Sequence, residues 1–155
     1  MTKNVKINIS FSRFVIDLHK LLKNNLLKLK FLDAKEFESN MKCTVQSNGK
    51  LNFSASAIHS LGLNNQKSVR FALNEEGKAS DDFLMIVLDY VSDEAFKVNK
   101  AGNYFYLNAK GLFDKFGIDY KGHSVIFDIV KTDELVNDLP IFKLIRRKGK
   151  ARKAK

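Results

Sequence analysis

The chain has 155 residues, 45% of them hydrophobic and 28% charged, which is the composition of a folded protein of one domain or two small fused units. Thirteen Phe and four Tyr supply large apolar groups, and a lone cysteine rules out an internal disulfide. The net charge is +10, and seven of the ten residues Arg146 to Lys155 are basic with none acidic, which leaves 10 − 7 = +3 for the rest.

No stretch approaches the ~18 apolar residues of a membrane span, and the first residues have no apolar signal core. A soluble cytoplasmic protein is expected, or a virion-associated one if phage-encoded. Along the chain, Val5, Ile7 and Ile9 alternate as a strand does. Phe11, Phe14, Val15, Leu18, Leu21 and Leu22 then give a helical stripe. Lys20, Lys23, Lys28 and Lys30 line its polar side as a secondary basic face. Such a helix either packs on a core with its lysines solvated or meets phosphate or a membrane surface. Lys28 to Phe31 reads equally well as a short strand. Cys43 fits a buried strand position, with nothing in the sequence to make it reactive.

The central part contains an internal repeat. Residues 49–73 run GKLNFSASAIHSLGL, a polar link, then SVRFAL; residues 102–129 run GNYFYLNAKGLFDKFGI, a polar link, then SVIFDI. Each reads as strand, short helix, Gly-aliphatic, polar turn, strand. Ser54 and Asn108 are residue types that cap helices. Gly62 and Gly117 stand where each helix stops, a place that favours the left-handed conformation. Phe71 and Phe127 follow the same Val and are expected in a shared core. Between the copies, Phe83 to Leu88 is a continuous apolar run of buried-strand type. Pro140 is expected near the start of a last strand.

This unit resembles the swapped-hairpin element of AbrB-like transition-state regulators and antitoxins, and two copies in one chain resemble the duplicated regulator MraZ. It is also similar to duplicated proteins of Bacteroidetes and their mobile elements. The resemblance covers roughly residues 45–130 and implies a small barrel. Ser54-Ala55 and Asn108-Ala109 stand where the AbrB-like unit usually has Pro, and neither helix carries Arg, so no DNA-contacting residue transfers one by one.

The expected fold is α+β and β-rich: two strand–short helix–strand repeats packed as a small barrel or paired sheets. An N-terminal segment (1–48) packs on a duplicated core (49–145), and a disordered basic tail (146–155) follows. No nucleotide-binding, zinc or nucleophile-elbow motif is present. His19, His59 and His123 share no metal-ligand spacing, so no catalytic residue, metal or cofactor is assigned. The sequence is read as non-enzymatic. Nucleic acid, DNA or RNA, is the favoured partner, with Arg146, Arg147, Lys148, Lys150, Arg152, Lys153 and Lys155 contacting phosphate. Tyr104 and Tyr106 are candidates for base stacking, or equally for a strand core. The alternative is a protein-interaction or assembly module of a phage or mobile element.

Overall fold

The computed structural model describes residues 29–34, 40–74 and 83–154. The chain divides into two compact units, Met1–Glu38 and Ser39–Lys155. Of the first unit only residues 29–34 are described, with Leu29, Phe31 and Leu32 exposed. The expected N-terminal strand and helical stripe, with Lys20, Lys23 and Lys28, lie outside the described residues.

Over its described residues the second unit is β-rich, a single antiparallel sheet with two short helices. Its strands are β1 (Lys42–Val45), β2 (Lys50–Phe53), β3 (Ser68–Ala72), β4 (Phe83–Leu88), β5 (Phe96–Lys97), β6 (Asn99–Ala101), β7 (Tyr104–Asn108), β8 (Val125–Val136) and β9 (Leu139–Arg146). Helix α1 (Ala55–Leu61) joins β2 to β3, and α2 (Lys110–Lys115) lies between β7 and β8. The spatial order is β5-β3-β4-β9-β8-β1-β2-β7-β6. The two edge strands β5 and β6 are separated in sequence only by Val98, so residues 96–101 pair with β3 at one end and with β7 at the other. The sheet is thereby nearly closed into a barrel, which leaves few unpaired edge groups.

Alternation along the strands fills the interior. Cys43 and Val45, Leu51 and Phe53, and Val125, Phe127 and Ile129 all point inward. Burial pushes the Cys43 thiol well above its ordinary range, so it stays protonated and inert. The Phe127 ring stacks on Phe113 at 6.5 Å and meets the Phe83 ring edge-on at 6.1 Å. Phe71, expected in the same core, is only half-buried; it packs edge-on against Phe83 and Phe96 near the barrel seam. Ser68, fully buried, donates from its hydroxyl to the Tyr90 carbonyl at 2.6 Å.

The two helices stop in the same way. Gly62 and Gly117 have φ of 57° and 64°. The amides of Leu63 and Ile118 donate to Ile58 and Phe113 carbonyls, each at 3.0 Å. They start differently. Ser54 caps α1, its Oγ accepting from the Ala57 amide at 3.3 Å. At α2 no side chain caps the helix, and Asn108 remains the last residue of β7.

Strand β1 pairs with both β2 and β8, so the core begins before residue 49, and the division falls after Glu38. The C-terminal segment is not a free arm over residues 146–152. Arg146 ends β9 opposite Phe127, and the backbone then follows residues 122–126. The Arg147 amide donates to the Ile126 carbonyl, the Ser124 amide to that of Lys150, and the Arg152 amide to that of Gly122. Composition favours disorder because the segment carries no large apolar group; main-chain hydrogen bonds to residues 122–126 supply order instead.

Candidate nucleic-acid interface

The basic C-terminal segment contains two kinds of cation. Arg147 and Arg152 are occupied by the fold. The Arg147 guanidinium grips Asp128 through two bonds, Nε at 2.9 Å and Nη2 at 2.6 Å. This contact holds the Asp128 carboxyl below its ordinary range. Arg152 reaches back to donate from Nε to the carbonyls of Tyr120 (3.0 Å) and His123 (3.2 Å), and from Nη2 to that of Val45 (3.0 Å). A planar fork of five donors suits this task, which a lysine could not perform. Gly149 lies so close to β8 that a Cβ there would sit 2.9 Å from the Ser124 carbonyl oxygen.

The lysines beside these anchors face solvent. Lys148, Lys150 and Lys153 are exposed and make no ion pair with any described residue. Lys148 and Lys150, with Arg147, Ser124 and Ile126, line an open recess of about 320 Å³. No carboxylate is among its described lining residues. Arg146 is half-buried in β9, and Lys155 lies outside the described residues. Lys30, in the first unit, is exposed.

Sequence reading missed Asp128, Ser124 and Ile126, which sit about twenty residues before the tail and meet it only through sheet pairing. It also gave Arg147 and Arg152 the same role as the lysines. The one signal in the sequence was Arg rather than Lys at those positions, since Arg suits multidentate contacts.

The surface of β6, β7 and β2 differs from this segment. Tyr104 is 65% exposed. Tyr106 is half-buried, with the Lys50 ammonium 4.4 Å from its ring centroid. Elsewhere Asp119 accepts from His123 Nδ1 at 2.7 Å and from the Gly122 amide at 2.8 Å, an exposed turn. No group of His, Cys, Asp and Glu able to hold a metal occurs among the described residues. Among the same residues no helix is long and apolar enough to cross a membrane. Compared with known proteins, the chain matches no family model, no curated protein and no solved structure.

Proposed function

We propose that the chain is a non-enzymatic nucleic-acid-binding protein of AbrB-like regulatory or architectural type, built as a duplicated swapped-hairpin barrel. Its C-terminal basic segment makes the phosphate contacts. The observation that carries this reading is the basic recess: Lys148 and Lys150, which pair with no described carboxylate, line one opening beside the Asp128-bound Arg147, and no carboxylate is among its described lining residues. Arginine anchors hold the lysines in register on a folded body, so little chain entropy is lost when a polyanion docks. Phosphate neutralisation releases counterions and gives salt-sensitive affinity.

The anchors change the choice of test. Deleting residues 146–155 would strip Arg147 and Arg152 from the fold as well as removing charge. The triple variant Lys148→Ala, Lys150→Ala and Lys153→Ala removes exposed cations alone. Against the parent chain it should bind more weakly to nucleic acid. The slope of log affinity against log salt should fall by roughly 2 to 3, at ~0.7–0.9 per phosphate contact. An unchanged slope, or a parent chain that binds nothing at low salt, would sink the proposal.

A second reading, an assembly module, is favoured by one feature. The hairpin of β8 and β9 exposes Val130, Leu135, Val136 and Ile145, aliphatic groups suited to a protein partner. Retained nucleic-acid-free self-association or partner capture by a chain that fails the salt titration would favour it.

A further inference from the structure

Strands β2, β6 and β7 lie side by side and carry no acidic residue. Register fixes which of their side chains face outward. Leu51, Phe53 and Leu107 point into the core, so Lys50, Asn52, Tyr104, Tyr106 and Asn108 stand on the opposite face. Tyr106 is opposite Asn52 on one side and Asn99 on the other, and Tyr104 is opposite Ala101. The exposed Tyr104 ring therefore has a small neighbour on β6 and an open approach. The acid-free character extends beyond these strands: no Asp or Glu occurs between Glu38 and Glu75 or between Glu94 and Asp114. A polyanion crossing this face meets the Lys50 ammonium group, side-chain amides and two aromatic rings.

We propose that Tyr104 and Tyr106 form a stacking platform for single-stranded nucleic acid, with Lys50 as its phosphate partner. This rests on the nucleic-acid reading above and names the form of nucleic acid and a second contact surface. The spacing argues for single strands. Residues two apart on one strand face stand about 7 Å apart. That is twice the ~3.4 Å rise of stacked bases along a strand. A chain that engages both rings must have its bases separated from each other, which a duplex forbids. Tyrosine rings accept any base, because every base has a π-face. The ammonium over Tyr106 does not block the site. An exposed cation–π contact is weaker than base–aromatic stacking, so a base displaces Lys50, whose charge then meets the adjoining phosphate.

The test uses the full chain with a homopyrimidine oligonucleotide and a duplex of the same length. The double variant Tyr104→Ala, Tyr106→Ala should lose single-strand affinity by about 5- to 150-fold for each ring that stacks. Its duplex affinity and salt slope should match the parent's, since no charge is removed. Tyr104→Phe, Tyr106→Phe keeps both π-faces and should bind as the parent does, which separates stacking from hydroxyl contacts and from misfolding. The chain has no Trp, so parent tyrosine emission should fall when single strands bind. A double Ala variant that binds single strands like the parent overturns the platform, as does a parent that binds duplex but not single strands. In both cases the cationic segment remains a duplex or phosphate contact. A parent that binds neither form overturns both readings together.

Discussion

The body of the protein contains two halves with the same order of elements: β1-β2-α1-β3-β4 and β6-β7-α2-β8-β9. They agree most closely where the chain leaves a helix. Both helix ends turn through a left-handed glycine, and the following aliphatic residue (Leu63 or Ile118) is buried with the same 3.0 Å amide bond. They diverge in strand length. The hairpin of β3 and β4 is built from strands of five and six residues; that of β8 and β9 has twelve and eight. Helix ends are settled by a few adjacent residues, so they repeat faithfully. Strand lengths depend on what lies alongside. In the second half β8 pairs with β1 as well as β9 and receives the C-terminal segment, whereas in the first half β3 has, besides β4, only the short β5 as a neighbour.

The largest expected difference between the halves lies at their equivalent phenylalanines. Phe127 is fully buried between Phe113 and Phe83. Phe127→Ala should cost about 3–5 kcal/mol, a transfer loss plus a cavity. Phe71→Ala removes a half-buried ring at the seam and should cost roughly 1–2 kcal/mol. Urea unfolding of both variants measures the gap. Equal losses would mean that the seam beside β5 is packed as tightly as the barrel interior.

A smaller contrast separates the glycines that precede β2 and β7. Gly49 and Gly102 both have positive φ, 82° and 59°. An alanine at either pays the left-handed penalty of ~1–2 kcal/mol. At Gly102 nothing lies within 4 Å of the added Cβ, so the penalty should end there. At Gly49 the Cβ would sit 2.5 Å from Lys110 Cβ and 2.8 Å from its Cα, part of α2 in the other half. Gly49→Ala should therefore lose about 1–3 kcal/mol more than Gly102→Ala, because backbone at the start of α2 must move. Thermal melts of the pair decide it; equal shifts would mean that the turn after β1 is not held against α2.

These contrasts mark how far the amino-acid sequence was legible. Alternation at Val125, Phe127 and Ile129 and the left-handed glycines 62 and 117 were readable because their causes are local. The outer part of β8 was not. Residues 131–136, which include Lys, Thr, Asp and Glu, lie beyond the alternation that ends at Ile129, yet they continue the strand to Asn137 and Asp138, which both take positive φ and close a two-residue hairpin. Asn-Asp before Leu-Pro was the available signal. Closure of the sheet through Val98 depends on which strands meet, a long-range fact no periodicity records. At the basic segment, charge was legible and geometry was not. Seven cations looked alike, but carbonyls of Val45, Tyr120 and His123 single out Arg152, and Asp128 singles out Arg147.

The subtlest contrast concerns acid. In the first half the ion pairs Lys67–Asp89 and Arg70–Glu94 have carboxylates 76% and 72% exposed, where screening leaves little coupling to the fold. In the second half Asp128 is 26% exposed and its carboxyl is held low, chiefly by the hydrogen bonds from Arg147. A carboxyl whose folded pKa is depressed stabilises the fold above its unfolded value of ~3.9 and loses that contribution as pH falls through the lower folded value. The segment after β9 should therefore remain docked at neutral pH and loosen only below about pH 4. Amide exchange reads this directly, because the Arg147 amide is bonded to the Ile126 carbonyl. Its protection should drop in acid while that of Leu63, in the first half, persists. Asp128→Asn should give the same selective loss at neutral pH, since the amide cannot accept the charged fork in the same way. If Arg147 and Leu63 lose protection together, acid unfolds the barrel as a whole. If the Asn variant protects Arg147 as the parent does, strand pairing alone holds the basic segment in place.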